Sequence, residues 1–243
     1  METNTIISKE TIGRLVKDVK DIIINPLTEH GVHYIHDDTN MLKGRALIFG
    51  PKNTPYENGC YLFEFIFPPN YPYSPPKLIY CTNDGKTRFN PNLYKCGKVC
   101  LSILNTWRGE QWESCQTITT ILLALCTTLN ETPLLNEPGV TKNHENYDDY
   151  NTILKYKNFE IAILNILTNE MINNNFNMFL PIMKKKFFDN YSYNIDKIDK
   201  AIEKYCNNSL TIITNIYYMT VTINYVELKK KFIDYYENNK VNE

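Results

Sequence analysis

Residues 61–81 read YLFEFIFPPNYPYSPPKLIYC, an alternating apolar run that passes straight into a block of prolines. No other stretch limits the fold so tightly. Tyr61, Phe63, Phe65 and Phe67 alternate with Leu62, Glu64 and Ile66, the period of two that a strand requires. Proline has no N–H to give to a ladder, so FPPNYPYSPPK, Phe67 to Lys77, must end the strand and form a rigid surface loop.

The flanking segments extend this reading. Val32 to His36, Ala46 to Phe49 and Leu78 to Cys81 predict three further strands, joined by links short enough for an antiparallel meander. Before them, Ser8 to Ile24 predicts a helix, with Ser8 as N-cap and Pro26 as terminator. Ile12, Leu15, Val16, Val19, Ile22 and Ile23 form its apolar stripe, and Lys9, Arg14, Lys17 and Lys20 load the other side. Thr117 to Leu129 predicts another helix, broken by TPLLNEPG. After about residue 143 the texture turns rich in Asn, Lys and Tyr, with helices predicted at Ile153 to Ile172, Phe176 to Phe188, Ile195 to Tyr205 and Val226 to Tyr236. The expected class is therefore α+β, divided into a core over 1–145 and an α-helical C-terminal extension over 146–243.

Composition excludes several functions. The formal net charge is -1, which provides no basic face for nucleic acid. No apolar run is long enough for a membrane span, and the N-terminal stretch turns charged before an apolar block forms, so neither a membrane segment nor a secretory leader is expected. Seven cysteines at irregular spacing suit free thiols in a reducing compartment.

The chemistry turns on FNPNLYKCGKVCLSIL, Phe89 to Leu104, where Cys100 stands between Val99 and Leu101. A metal role is disfavoured. His30, His33 and His36 are spaced by three, which in a strand sends side chains to opposite faces, and Cys96, Cys100 and Cys115 lack the paired spacing of zinc cysteines. A Cys–His nucleophile has no evident partner, since nothing positions His144 or the upstream histidines. Taken alone, Cys100 reads as a buried packing thiol.

The order of segments changes that weighting. TPYENGCYLFEFIFPPNYPYSPPKL (54–78), RFNPNLYKCGKVCLSIL (88–104), Trp112 and NEPG (136–139) resemble the ubiquitin-conjugating enzyme family over about residues 8–140. The chain is similar to the large Z-type members, which carry Asn-Pro-Asn where most relatives have His-Pro-Asn, a TWRGEQW-like insert, a PLLNEPG-like loop and a helical extension. The resemblance implies that Cys100 carries ubiquitin or a ubiquitin-like protein as a thioester, received from an activating enzyme and passed to a substrate lysine. It implies no bound cofactor and no metal, with ATP consumed by the activating enzyme. Asn92 would stabilise the oxyanion or brace the loop, and Asn136 or Glu137 would orient the incoming lysine. Tyr73 with Glu113 and Ser114 would dock a RING-type or other ligase, although Glu113-Ser114-Cys115 departs from the relatives' usual Ser-Pro-Ala after Trp112. Lys17 and Lys20 would dock the activating enzyme. Cys96 and Cys115 would be bystanders. The expected location is cytoplasmic or nuclear. Two alternatives stay open: a catalytically silent ubiquitin-binding relative, and a cysteine hydrolase using Cys100 with His144.

Overall fold

Ser8 starts the first helix by accepting the Thr11 N–H on its side chain at 3.0 Å, and α1 runs Lys9–Ile24 before Asn25 and Pro26 stop it. A computed structural model describes residues 7–206 and 208–240; residues 1–6, where part of the leader expectation falls, lie outside the described residues. The expected apolar stripe is only partly used. The buried face of α1 is Thr11, Leu15, Asp18 and Ile22, while Ile12, Val16 and Ile23 are exposed. Half of that buried face is polar because it meets the proline-rich loop. The Thr11 hydroxyl donates to Pro69 O at 2.8 Å, and the Tyr71 hydroxyl donates to Asp18 at 2.5 Å. Arg14 is likewise not on a solvated face. It pairs with Asp18 at 2.8 Å and donates to the carbonyls of Ser114 and Gln116.

The meander forms as expected, with β1 Val32–His36, β2 Lys43–Phe49, β3 Cys60–Ile66 and β4 Lys77–Tyr80 in that spatial order, all antiparallel. Ala46 faces Phe63, and Phe63 faces Tyr80. Ala46, Leu47 and Ile48 on β2, and Tyr61, Leu62 and Phe63 on β3, are all fully buried. Successive strand residues point to opposite faces, so both faces of the sheet's centre are covered. The proline-rich segment is less superficial than expected, because Phe67, Tyr71 and Pro76 are buried. Trp112 clips it down by donating its indole N–H to Pro72 O at 2.6 Å. The helix α2, Ile118–Thr128, is capped by Thr117.

The C-terminal part departs from the all-helical expectation. After α3, Tyr147–Lys157, the helix widens into a π segment over Asn158–Asn165, followed by α4, Ile166–Thr168, and α5, Glu170–Asn175. Then come α6, Leu180–Asp189, and α7, Tyr191–Lys204. A β-hairpin follows where no strand was expected: β5, Leu210–Thr214, pairs with β6, Met219–Ile223, ahead of α8, Tyr225–Asn239. Ile212, Thr214, Met219, Val221 and Ile223 are buried while Thr211, Ile213, Thr220 and Thr222 are exposed, so the hairpin lays one apolar face down. The extension has aromatic packing of its own, with Phe187 against Phe232 and Tyr191 stacked on Tyr236. Its buried residues also join those of the sheet in one cluster. Asn158 is one polar link between them: its side chain accepts from the Tyr61 hydroxyl at 2.7 Å and donates to Glu57 O at 2.8 Å.

Candidate functional site

The loop after β4 is held open in shape by its ends. Phe89 is fully buried against Tyr61 and Tyr80. Gly97 turns the chain back with φ +85°, and its carbonyl accepts the Tyr80 N–H at 2.7 Å. A side chain there would need the left-handed region and would press on Tyr80 O, so glycine suits the turn.

Asn90 is the centre of the motif. Its side-chain amide is fully buried and uses its whole hydrogen-bonding capacity. Nδ2 donates to the Tyr56 hydroxyl at 2.8 Å and to Thr128 O at 2.9 Å. Oδ1 accepts from the Asn92 N–H at 2.9 Å and from Asn136 Nδ2 at 3.3 Å. One side chain therefore joins the strand-side loop, the end of α2 and the acceptor-side loop.

Cys100 is 1% exposed. Asn92 donates Nδ2 to Cys100 O at 2.7 Å, and the Cys100 N–H donates to Asn92 O at 2.9 Å. Thr106 grips the residues on either side: its hydroxyl accepts the Leu101 N–H at 3.0 Å and lies 3.1 Å from both Val99 O and Leu101 O. The thiol thus sits on a backbone fixed from two directions, one of them the insert that follows it.

A cleft of about 930 Å³ lies against this loop, lined by Lys98, Thr106, Arg108, Gln111, Glu137 and Pro138. Of the two acceptor candidates, only Glu137 lines it. Asn136 has its amide committed: Nδ2 donates to Asn90 and to Thr128 O, and Oδ1 accepts from Asn130 at 2.8 Å. Glu137 Oε2 accepts the Tyr217 hydroxyl at 2.6 Å. Burial and that carboxylate together push the Tyr217 phenol well up, so it stays a donor. Tyr217 sits in the loop between β5 and β6, and that loop connects to the motif through Arg88. The Arg88 guanidinium donates to Asn90 O at 3.1 Å and Pro91 O at 2.5 Å, and it stacks between the Tyr94 and Tyr217 rings.

Tyr73 and Ser114 are both tied to the first half of α1, and Glu113 is the neighbour of Ser114. Tyr73 is exposed, its hydroxyl donating to Glu10 at 2.5 Å, and the Ser114 carbonyl is held by Arg14. Glu113 is exposed beside Cys115. Lys17 and Lys20 are exposed on α1. The histidines do not converge: the His36 ring is engaged by the Tyr34 hydroxyl and Met41 O, and His144 Nδ1 accepts the Asn146 N–H at 3.1 Å. Among the described residues no group of three or more His, Cys, Asp or Glu side chains could hold a metal ion, and no helix is long and apolar enough to cross a membrane.

Four residues at this site escaped sequence reasoning. The sequence assigns Asn90 no side-chain role, although a second amide in NPN is a usable signal. Arg88 and Thr106 lie next to the motif but carry no distinguishing pattern. Tyr217 joins Glu137 across 80 positions of chain, which no local pattern reports.

Comparison with known proteins agrees with this architecture. Ubiquitin-conjugating enzyme E2 Z of Danio rerio is 35% identical over 189 residues, covering 76% of this chain and 56% of that protein. The Xenopus tropicalis protein of the same name is 34% identical over 189 residues, covering 76% and 59%. The Homo sapiens one is 38% identical over 157 residues, covering 63% and 44%. The chain thus spans about half the length of these relatives. The sequence model of the ubiquitin-conjugating enzyme family matches residues 14–160, a span that contains the C-terminal part of α1, the meander, the braced cysteine loop and the acceptor-side loop. By that match, this chain belongs to the ubiquitin-conjugating enzyme family.

Proposed function

We propose that this chain accepts the C-terminal carboxyl of ubiquitin or a ubiquitin-like protein from an activating enzyme as a thioester on Cys100 and transfers it to a substrate lysine, with a ligase bringing the substrate. The observation that carries the reading is the Asn92–Cys100 pair, two hydrogen bonds that hold the thiol's backbone beside a cleft containing a carboxylate. In loading, the Cys100 thiolate attacks the incoming thioester carbonyl and the donor's thiolate leaves. In transfer, the lysine amine forms the new C–N bond, the C–S bond breaks, and Cys100 departs as thiolate. Cysteine needs little help from a neighbouring base, which suits a site where His144 is engaged elsewhere. The second Nδ2 hydrogen of Asn92 is available for the oxyanion, and Glu137 is the group suited to take the amine's proton.

The chain itself would bind neither metal nor cofactor, ATP being consumed by the activating enzyme. Tyr73, Glu113 and Ser114 are the proposed ligase contact, and Lys17 with Lys20 the proposed activating-enzyme contact. All seven cysteines are free, which fits work in a reducing compartment such as cytoplasm or nucleus.

The test is a charging assay with ubiquitin, ATP and a panel of activating enzymes, run on non-reducing gels. A reductant-sensitive adduct that survives Cys96→Ala and disappears in Cys100→Ala is expected. An adduct that persists in Cys100→Ala sinks the assignment.

A further inference from the structure

The turn of the C-terminal hairpin holds bulky residues in a backbone region that glycine or asparagine usually fills. Tyr217 has φ +60° and Tyr218 φ +48°, two consecutive left-handed residues with full side chains. That region is costly for such residues and persists only where the surroundings hold it. The surroundings here are the candidate site. Lys95 Nζ donates to Tyr217 O at 2.7 Å and Tyr218 O at 3.3 Å. The Tyr217 ring lies 5.8 Å from that of Tyr150 and 4.9 Å from the Arg88 guanidinium. The Arg88 N–H donates to Met219 Sδ at 3.3 Å, and Asn146 Oδ1 accepts the N–H groups of Asn215 and Ile216 at 3.1 Å. All this places one hydroxyl on one oxygen of Glu137. Among the described residues Glu137 Oε1 has no hydrogen-bond partner, and Glu137 lines the cleft.

We propose that Tyr217 is a positioning residue for acyl transfer, and that the C-terminal hairpin thereby completes the acceptor side of the site. The inference rests on the thioester reading above. A lysine amine must lose a proton as its nitrogen bonds the thioester carbon and the Cys100 thiolate leaves. Glu137 Oε1 receives that proton while Tyr217 keeps Oε2 pinned. The hydroxyl fixes the carboxylate's direction. The hairpin lies beyond residue 160, where the family match ends, so the device belongs to the extension.

Tyr217→Phe separates the hydroxyl from the fold, since the ring, the Arg88 stacking and both carbonyls that bind Lys95 remain. The probe is ubiquitin carrying a C-terminal mercaptoethanesulfonate thioester, which exchanges onto a cysteine without an activating enzyme; discharge to free lysine is then followed against lysine concentration. We expect unchanged loading and about tenfold slower discharge at saturating lysine through lost orientation, with the lysine concentration for half-maximal rate unchanged. In a Glu137→Gln background, Tyr217→Phe should cause no further loss. Parental discharge by Tyr217→Phe, a loss confined to lysine binding, or a full additional loss in the Glu137→Gln background each overturns the proposal. Failure of the parent chain to form any reductant-sensitive adduct on Cys100 overturns the thioester reading instead, and this inference with it.

Discussion

Asn92 and Cys100 bond each other twice, side-chain amide to carbonyl at 2.7 Å and N–H to carbonyl at 2.9 Å. The Asn92 amide thus holds the cysteine loop. Under the proposed thioester chemistry, bracing and oxyanion stabilisation need not compete, because Nδ2 carries a hydrogen for each.

Asn92→Ala should accordingly show two defects. Single-turnover discharge should fall by about 10²–10³, as for loss of an oxyanion donor. Stability should also fall by about 1–3 kcal/mol, because Cys100 O is left buried without its partner. Discharge kinetics and a urea titration read the two separately. A slow variant of full stability would reduce Asn92 to the oxyanion role alone.

Asn90 has four partners, and no other side chain of its size can serve them all. Asn90→His, which installs the residue the wider family uses, offers two ring nitrogens in place of two donors and two acceptor sites. The expected loss is about 2 kcal/mol or more, with Tyr56, Thr128, Asn92 and Asn136 competing for the ring. A denaturation midpoint equal to the parent's would show that the network relaxes around histidine.

Thiol reactivity should follow exposure and burial-shifted acidity. Cys96, Cys115 and Cys206 are exposed. Burial pushes the Cys60 and Cys81 thiols up to about 12 and Cys126 to about 11, so all three stay protonated at neutral pH. Iodoacetamide with peptide mass mapping should label Cys96, Cys115 and Cys206 first and Cys60 last. Cys100, at 1% exposure, should lag behind Cys96. Labelling of Cys100 as fast as Cys96 would mean that the loop opens freely.

The Asp84–Lys157 ion pair, 3.2 Å long, ties the loop after β4 to the end of α3 and predicts an acid sensitivity. Burial raises the Asp84 carboxyl, but the N–H groups of Thr87 and Lys86 and the Lys157 ammonium outweigh it and hold the group below its usual value. A depressed carboxyl contributes stability above the unfolded value and loses it as pH falls through the folded one. Lys157 is raised, by Glu160 and Asp84 against the opposing effect of burial, so its contribution is lost only in strong base. Asp84→Asn should cost about 1 kcal/mol at pH 7, and the gap to the parent should close below about pH 4. A gap that stays constant down to pH 2 would rule out an ionic origin.

The core of this protein is legible in its sequence because the signals there are local. Ser8 caps its own helix, the Tyr61–Phe67 alternation defines a strand within seven residues, and FNPN with Cys100 lies inside one loop. What surrounds that loop is fixed only by long-range packing. LTIIT and MTVTI are five-residue strands set in an Asn- and Tyr-rich tract, too short for periodicity to separate them from helix. Whether Asn136 or Glu137 faces the cleft depended on Asn90, Thr128 and Asn130 taking up the first. The partner of Glu137 comes from 80 residues away, brought there by packing of the hairpin's apolar face. Short-range patterns report backbone geometry. Hydrogen-bond satisfaction at a buried site is settled only when distant elements close around it.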